Sequence, residues 1–201
     1  GYTKSTSGIA SPGAQDITWS AEDDAMLVKF NSDGVRQWGT YFGNADGDAF
    51  SYCTVDGNGN VFAGGITKST GGVATAGAHQ TTLGGDWDGL LAKFNADGVL
   101  QWATYYGGTG EERARSCAVD VSGNVYLTGL TESLENIATP QVHQQVSGGY
   151  QDAFLVKFNS GGIRQWGTYY GGSSDEQALG CATDSNGNVY IAGGTGTSTG
   201  T

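Results

Sequence analysis

Residues 153–159 (AFLVKFN) alternate, with Phe154, Val156 and Phe158 on one face and Leu155 on the other. That period of two predicts a β-strand. Ser160, Gly161 and Gly162 supply a tight turn, and residues 163–170 (IRQWGTYY) read as a second strand, so the pair carries a hairpin signature. A glycine pair and an acidic stretch follow. A third strand is expected near 179–183 (LGCAT), a turn over Asp184 to Asn188, and a fourth strand over Val189 to Ala192. Both faces of these strands carry apolar residues, which fits sheets packed face to face better than a sheet with one wet face. No helical periodicity of useful length is present. Stretches such as 66–87 read as long loops rich in Thr, Gly and Ala. Loops of that length usually have a job or a local structure of their own.

This pattern occurs three times at an offset of 64 residues with no gap. DAMLVKFNSDGVRQWGTYFG starts at Asp24, DGLLAKFNADGVLQWATYYGG at Asp88 and DAFLVKFNSGGIRQWGTYYGG at Asp152. The same offset relates Trp38, Trp102 and Trp166; Cys53, Cys117 and Cys181; and Asn60, Asn124 and Asn188. The loops keep register too, since His79 matches His143, with Gln15 in the first copy. The units are approximately 1–64, 65–128 and 129–192, with 193–201 starting a fourth copy. One repeat cannot bury its own faces, so neighbours must stack.

The order D-A-F-L-V-K-F-N, then Q-W-G-T-Y-Y-G-G, then A-V-D-x-x-G-N-V-Y resembles the bacterial β-propeller repeat family named for seven-bladed propellers. The resemblance covers all three units and extends into the A-T-x-x-x-H-Q loop. It implies an all-β fold of propeller blades, each of four antiparallel strands. It also implies secreted or surface proteins, often large and repetitive, with no common chemistry. By the same resemblance, the A-V-D strand lies innermost and the W-x-T-Y strand outermost.

The phase of the repeat leaves the ring unfinished. The outer hairpin near 24–43 has no inner hairpin before it, and the inner hairpin near 179–194 has no outer one after it. The chain holds two whole blades and two complementary halves, whereas a ring typically needs at least four blades. Three arrangements resolve this. The chain is part of a larger propeller, or two chains close a six-bladed ring, or successive chains complete each other's blades in a head-to-tail filament.

Charge narrows the partners. Nine Lys and Arg against 20 Asp and Glu give a net charge of -11. Phosphate binding needs a surface of opposite sign, so nucleic acid is disfavoured, as is an anionic membrane surface. The 36 glycines recur between aromatic and β-branched runs and serve as turn residues rather than low-complexity filler. No stretch is apolar enough to span a membrane. No signal peptide is visible and residue 1 is Gly, so a processed or excised product is expected.

Candidate chemistry is sparse. An odd count of evenly spaced cysteines is no disulfide framework, and Cys53, Cys117 and Cys181 read as small buried apolar residues. No CxxC pair points to thiolate metal binding. Two sets of acidic positions are calcium candidates. The first is Asp46 with Asp48, Glu111 with Glu112, and Asp175 with Glu176, taken as acidic turns; solvated charge is the competing reading. The second is Asp56 to Asn60 and its counterparts from Asp120 and Asp184. It echoes the start of an EF-hand loop but lacks the distal Glu, so hairpin turns explain it better. The ladder of Trp38, Trp102 and Trp166 with Tyr41, Tyr105 and Tyr169 reads as inter-blade packing rather than a sugar platform. Trp19, Trp87 and Tyr150 break register at loop ends and are candidate ligand or partner contacts. The histidines lack an evident nucleophile or carboxylate partner. No G-x-S-x-G elbow occurs, and the glycine string at 193–196 opens no helix.

These readings exclude an assigned catalytic residue or cofactor. They point to a non-catalytic extracellular or cell-surface repeat module with a structural, assembly or adhesion role, in a filament or sheath. Its partners would be copies of itself or adjacent repeats. The alternative is a ligand-binding propeller, lectin-like for glycans or calcium-binding.

Overall fold

A computed structural model describes residues 1–20 and 22–196. Residues 197–201, which hold the rest of the expected fourth copy, lie outside the described residues. Among the described residues all regular structure is strand. In chain order the strands are β1 (Tyr2–Thr3), β2 (Asp24–Phe30), β3 (Arg36–Phe42), β4 (Asp48–Val55), β5 (Val61–Thr67), β6 (Asp88–Phe94) and β7 (Leu100–Tyr106). They continue as β8 (Glu112–Val119), β9 (Val125–Thr131), β10 (Asp152–Phe158), β11 (Arg164–Tyr170), β12 (Asp175–Thr183) and β13 (Val189–Gly196). All pairing is antiparallel.

Two four-stranded sheets, β4–β7 and β8–β11, form whole blades, called here blade 1 and blade 2. A three-stranded sheet of β1–β3 precedes them and the hairpin β12–β13 follows. The phase read from the repeat is thus the phase of the fold. The short β1 pairs Thr3 with Asp24, as Thr67 pairs with Asp88 and Thr131 with Asp152. Residues 1–3 therefore occupy the last positions of an inner hairpin.

The sheets stack in chain order, and β8 packs against both β4 and β12. These are the strands expected to be innermost. One core lies between the first sheet and blade 1, where Phe42, Phe50 and Phe94 meet with ring centroids 5.2–6.2 Å apart. A second lies between blades 1 and 2, where Phe154, Val156 and Phe158 turn one face inward onto Phe62, Leu91 and Tyr106. Leu155 points the other way, as its place in the alternation requires.

The strand ends differ from expectation. β12 begins at Asp175 rather than near 179, and β13 runs to Gly196 rather than 192. The extension pairs Asp175 with Gly196 through a bulge between Ala178 and Gly180, and its glycines carry no side-chain alternation to read. The same bulge recurs in β4 and β8. Opposite it stand Gly65, Gly129 and Gly193, where a Cβ would sit 1.8–1.9 Å from a carbonyl oxygen.

The long loops have a job. Residues 68–87 return along the outer edge of blade 1, where Thr75 N donates to Ala103 O (2.9 Å) and Tyr105 N donates to Gln80 O (3.2 Å). Ser11–Gly39 and Tyr41–Asp16, then Thr139–Gly167 and Tyr169–Gln144, repeat these bonds. An exposed strand edge is a template for aggregation, and the loop occupies it. The buried tyrosines tie it down: Tyr105 Oη donates to Ser69 O at 2.8 Å.

Candidate functional site

The interface between successive blades is a clasp built from repeat positions. Trp38 Nε1 and Lys29 Nζ both donate to Ala96 O, at 3.0 and 2.9 Å. Trp102 Nε1 and Lys93 Nζ both donate to Ser160 O, at 3.1 and 3.0 Å. In each case the acceptor is in the turn of the next outer hairpin. Gly98 and Gly162, in those turns, lie on the indole faces, where a Cβ would fall within about 3 Å of the rings of Trp38 and Trp102. The aromatic ladder thus packs between blades, and the tyrosines Tyr41, Tyr105 and Tyr169 are buried.

Both ends of the stack present unmatched halves of this clasp. Among the described residues no turn faces Trp166; it lines an open groove of about 790 Å³ with Leu155, Gln165 and Thr168. Gly34, the counterpart of Gly98 and Gly162, has nothing within 4 Å of its Cβ position. On the inner side, Tyr52 and Val55 of β4 and Tyr190 of β13 are exposed.

The cysteines follow the same logic. Cys117 is buried between blades, and that burial pushes its thiol up to about 12. Cys181 is half-buried and pushed up to about 11 for the same reason. Cys53 is exposed, which departs from the expected burial, because no described sheet covers its face of β4. All three are free.

The acidic candidates are not turn residues in the main. Asp48 and Glu112 open strands β4 and β8, and Asp175 and Glu176 open β12; only Asp46 and Glu111 lie in the preceding connections. The difference follows from the early strand start described above. Asp48 accepts from Asn44 N (2.9 Å) and Ser69 Oγ (2.8 Å). Glu112 accepts from Gly108 N (2.9 Å) and from Thr131 Oγ1 at 2.5 Å. Glu176 accepts from Gly172 N and Thr195 Oγ1, both at 2.6 Å. Each carboxylate therefore ties the inter-blade connection to the strand behind it. Burial raises the Asp48 carboxyl to about 6 and also raises Glu112. Asp48 is one methylene shorter than Glu112, and its Oδ1 has no partner. Glu111 pairs with Arg113. Among the described residues no three His, Cys, Asp or Glu side chains gather as a metal cluster.

The Asx-Gly segments are hairpin turns. Asp56 Oδ1 accepts from Asn58 N and Asn60 N, both at 2.9 Å, and Asp120 and Asp184 do the same in their own turns. Burial opposes ionisation of Asp56 and Asp120, but bonds from the Asn side chain and backbone outweigh it and hold both carboxyls low.

The three register-breaking aromatics have local partners. Trp19 Nε1 donates to Glu22 O (2.8 Å). Lys68 Nζ sits 5.8 Å above the Trp87 ring. Tyr150 stays exposed, with Oη 3.4 Å from Glu132 Oε2, and Gln151 Nε2 donates to Glu132 Oε1 at 2.7 Å. The structure does not bring these three together into one contact surface. One repeat position, Lys4, Lys68 or Glu132, meets another, Asp23, Trp87 or Gln151, by ion pair, cation–π contact or hydrogen bond in turn.

Sequence reasoning missed a second set of buried carboxylates. Asp24, Asp88 and Asp152 are all fully buried. Asp88 accepts from Gly84 N (2.9 Å) and Gln80 Nε2 (2.7 Å), and Gln80 Oε1 accepts from Gly107 N (3.0 Å). Asp152 and Gln144 repeat the lock. The available signal was an invariant Asp at the head of every repeat, in a position where an apolar residue would suit the strand.

The Gln80 lock lies beside an open cavity of about 310 Å³ between the loops of blades 1 and 2, lined by His79, Thr82, Thr109, Asn136 and Arg164 among others. His79 packs on Tyr106 and Phe158, at 6.2 and 5.7 Å between centroids. Burial, and then the charge of Arg164, push its pKa down to about 4.

The strand-rich repeat and the stacked sheets define a β-propeller-type repeat. Comparison with known proteins agrees at that level. The chain is 26% identical over 188 residues to an uncharacterized WD repeat-containing protein of Acanthamoeba polyphaga mimivirus, covering 81% of this chain and 14% of that protein. It is 25% identical over 204 residues to the regulatory protein FlaEY of Caulobacter vibrioides, covering 96% of this chain and 21% of that protein. The chain thus spans about a fifth or less of the length of these relatives. No family model matches the chain.

Proposed function

We propose that this chain is a non-catalytic propeller-repeat module with a structural role in assembly or adhesion, as in a surface filament or sheath. The resemblance to secreted repeat proteins supports a place outside the cell or at its surface. The observation that carries the reading is the clasp. Two copies of it are closed within the chain, and the stack leaves Trp166 without a turn and Gly34 without an indole. An inner hairpin like β12–β13 has the partner strand it needs in β2, whose edge β1 pairs over only two residues. Another repeat of the same kind supplies both missing halves.

The test is sedimentation velocity and negative-stain imaging of the chain across a rising concentration series. Association that Trp166→Ala abolishes supports the reading, and a chain that stays monomeric throughout overturns it. A second reading, ligand binding, draws on the cavity beside His79. Calcium at Asp46, Asp48, Glu111, Glu112, Asp175 and Glu176 is its other form. A ligand selective for the folded state raises the melting temperature, so melting unchanged between calcium and chelator overturns that form.

A further inference from the structure

The two closed junctions of the stack follow one plan, yet a pair of facing positions changes its chemistry between them. At the first, Gln15 reaches the next blade and its Oε1 accepts from Leu100 N at 3.1 Å. Sixty-four residues on, the same positions hold His79 and Arg164. Repetition therefore gives way there to a single asymmetric site, and that site is the cavity of about 310 Å³.

Its walls are chemically specific. Arg164 donates to Asn136 O at 2.8 Å and also lies against the Tyr106 hydroxyl. A guanidinium has five such donors in a planar fork. None of the ion pairs among the described residues involves Arg164, in a chain of net charge -11. Asn136 holds a left-handed backbone, φ 66°, where the matching positions are Gly8 and Gly72. Asn is among the few non-glycine residues that adopt this conformation readily, so the exchange keeps the loop's path. Asn136 lines the cavity. His79, neutral at ordinary pH, is clamped between aromatic rings. On the other side lies Thr109, held in place from outside the cavity by Glu135, whose Oε1 accepts from Thr109 N and Oγ1 at 3.0 and 2.6 Å. The cavity is thus cationic at Arg164 and carries the hydroxyl oxygens of Thr82 and Thr109. Gln80 Nε2 donates to Asp88, Gly107 N to Gln80 Oε1 and Gly108 N to Glu112, so these groups hold the frame rather than the ligand.

We propose that this cavity binds a small hydroxylated monocarboxylate, of the size and chemistry of one uronic-acid residue, with the carboxylate on Arg164 and hydroxyls toward Thr109. Arg meets a carboxylate with two parallel bonds, which gives orientation as well as attraction. The cavity is at the small end of ligand pockets, which suits a single ring. The inference deepens the ligand-binding reading and is independent of blade completion.

The test is an NMR titration of the chain with sodium glucuronate, alongside glucose, glycine and acetate, at a concentration where it is monomeric. Saturable shifts of the His79 ring and of Gly107 and Gly108 amides are expected with glucuronate. Arg164→Leu copies the neighbouring junction, so its melting temperature should hold while binding weakens at least about tenfold. Thr109→Val should weaken glucuronate binding less. Glucuronate binding that survives Arg164→Leu overturns the proposal, as does equal binding of glucose or glycine, or no response to glucuronate. Because each readout concerns the cavity alone, failure here leaves the assembly test unaffected.

Discussion

The junction between blades 1 and 2 and the open faces at the ends of the stack use the same residues to opposite effect. Phe158 is fully buried there, whereas Phe30, at the same repeat position, is 59% exposed. Tyr106 is buried and Tyr170 is exposed. Trp102 bonds the next turn, and Trp166 lines an open groove. Cys117 is covered and Cys53 is not. A residue in a stacked repeat therefore gets its environment from the neighbour, and the same side chain is core in one copy and surface in another.

The comparison breaks most sharply at the phenylalanines. Phe158→Ala should cost about 3–5 kcal/mol in denaturant melts, the range for emptying a buried aromatic site. Phe30→Ala should stay within about 0.5 kcal/mol for the monomer, as surface changes usually do. Equal costs would mean that the first sheet is covered in solution.

Next in size is Asp48. Its folded pKa, about 6, lies above the roughly 3.9 of an unfolded aspartate. Between those values the folded state holds a proton that the unfolded state lacks. The associated stability is complete below about pH 4 and is lost as pH rises through 6, a span on the order of 3 kcal/mol. Asp48→Asn should flatten that part of the stability–pH curve. Glu112, also raised by burial, adds a slope of the same sign. An unchanged curve in the Asn variant would show that Asp48 is not buried as described.

Trp102→Ala should cost about 2 kcal/mol through lost packing and a lost hydrogen bond, against about 0.5 kcal/mol for Trp166→Ala in the monomer. Smallest in energy but clean in contrast, a thiol reagent should label Cys53 in the folded chain at once. It should reach Cys117 only at the rate of opening, because a buried, protonated thiol is inert. Prompt labelling of Cys117 would mean the junction is not sealed.

Much of this was legible. A period of two with apolar residues on both strand faces pointed to stacked sheets, and the gapless offset set which hairpins pair. The Asx-Gly turns followed from local hydrogen bonding alone. Less legible were strand ends such as Asp175–Ala178 and Gly193–Gly196. Bulges and glycines carry no alternation, and only the backbone ladder marks them. The buried carboxylates were harder still. Asp88 and Glu112 look like surface charges until the loops that donate to them are placed.

By itself the sequence determined the repeat, the strand pattern, the turn chemistry and the phase of the blades, because each depends on residues close together in the chain. Only the tertiary structure decided which copy of a position is core and which is surface. It alone set His79 against Arg164, residues 85 apart in the numbering. Those outcomes depend on which sheet lies over which, and burial and charge pairing act through space rather than along the chain.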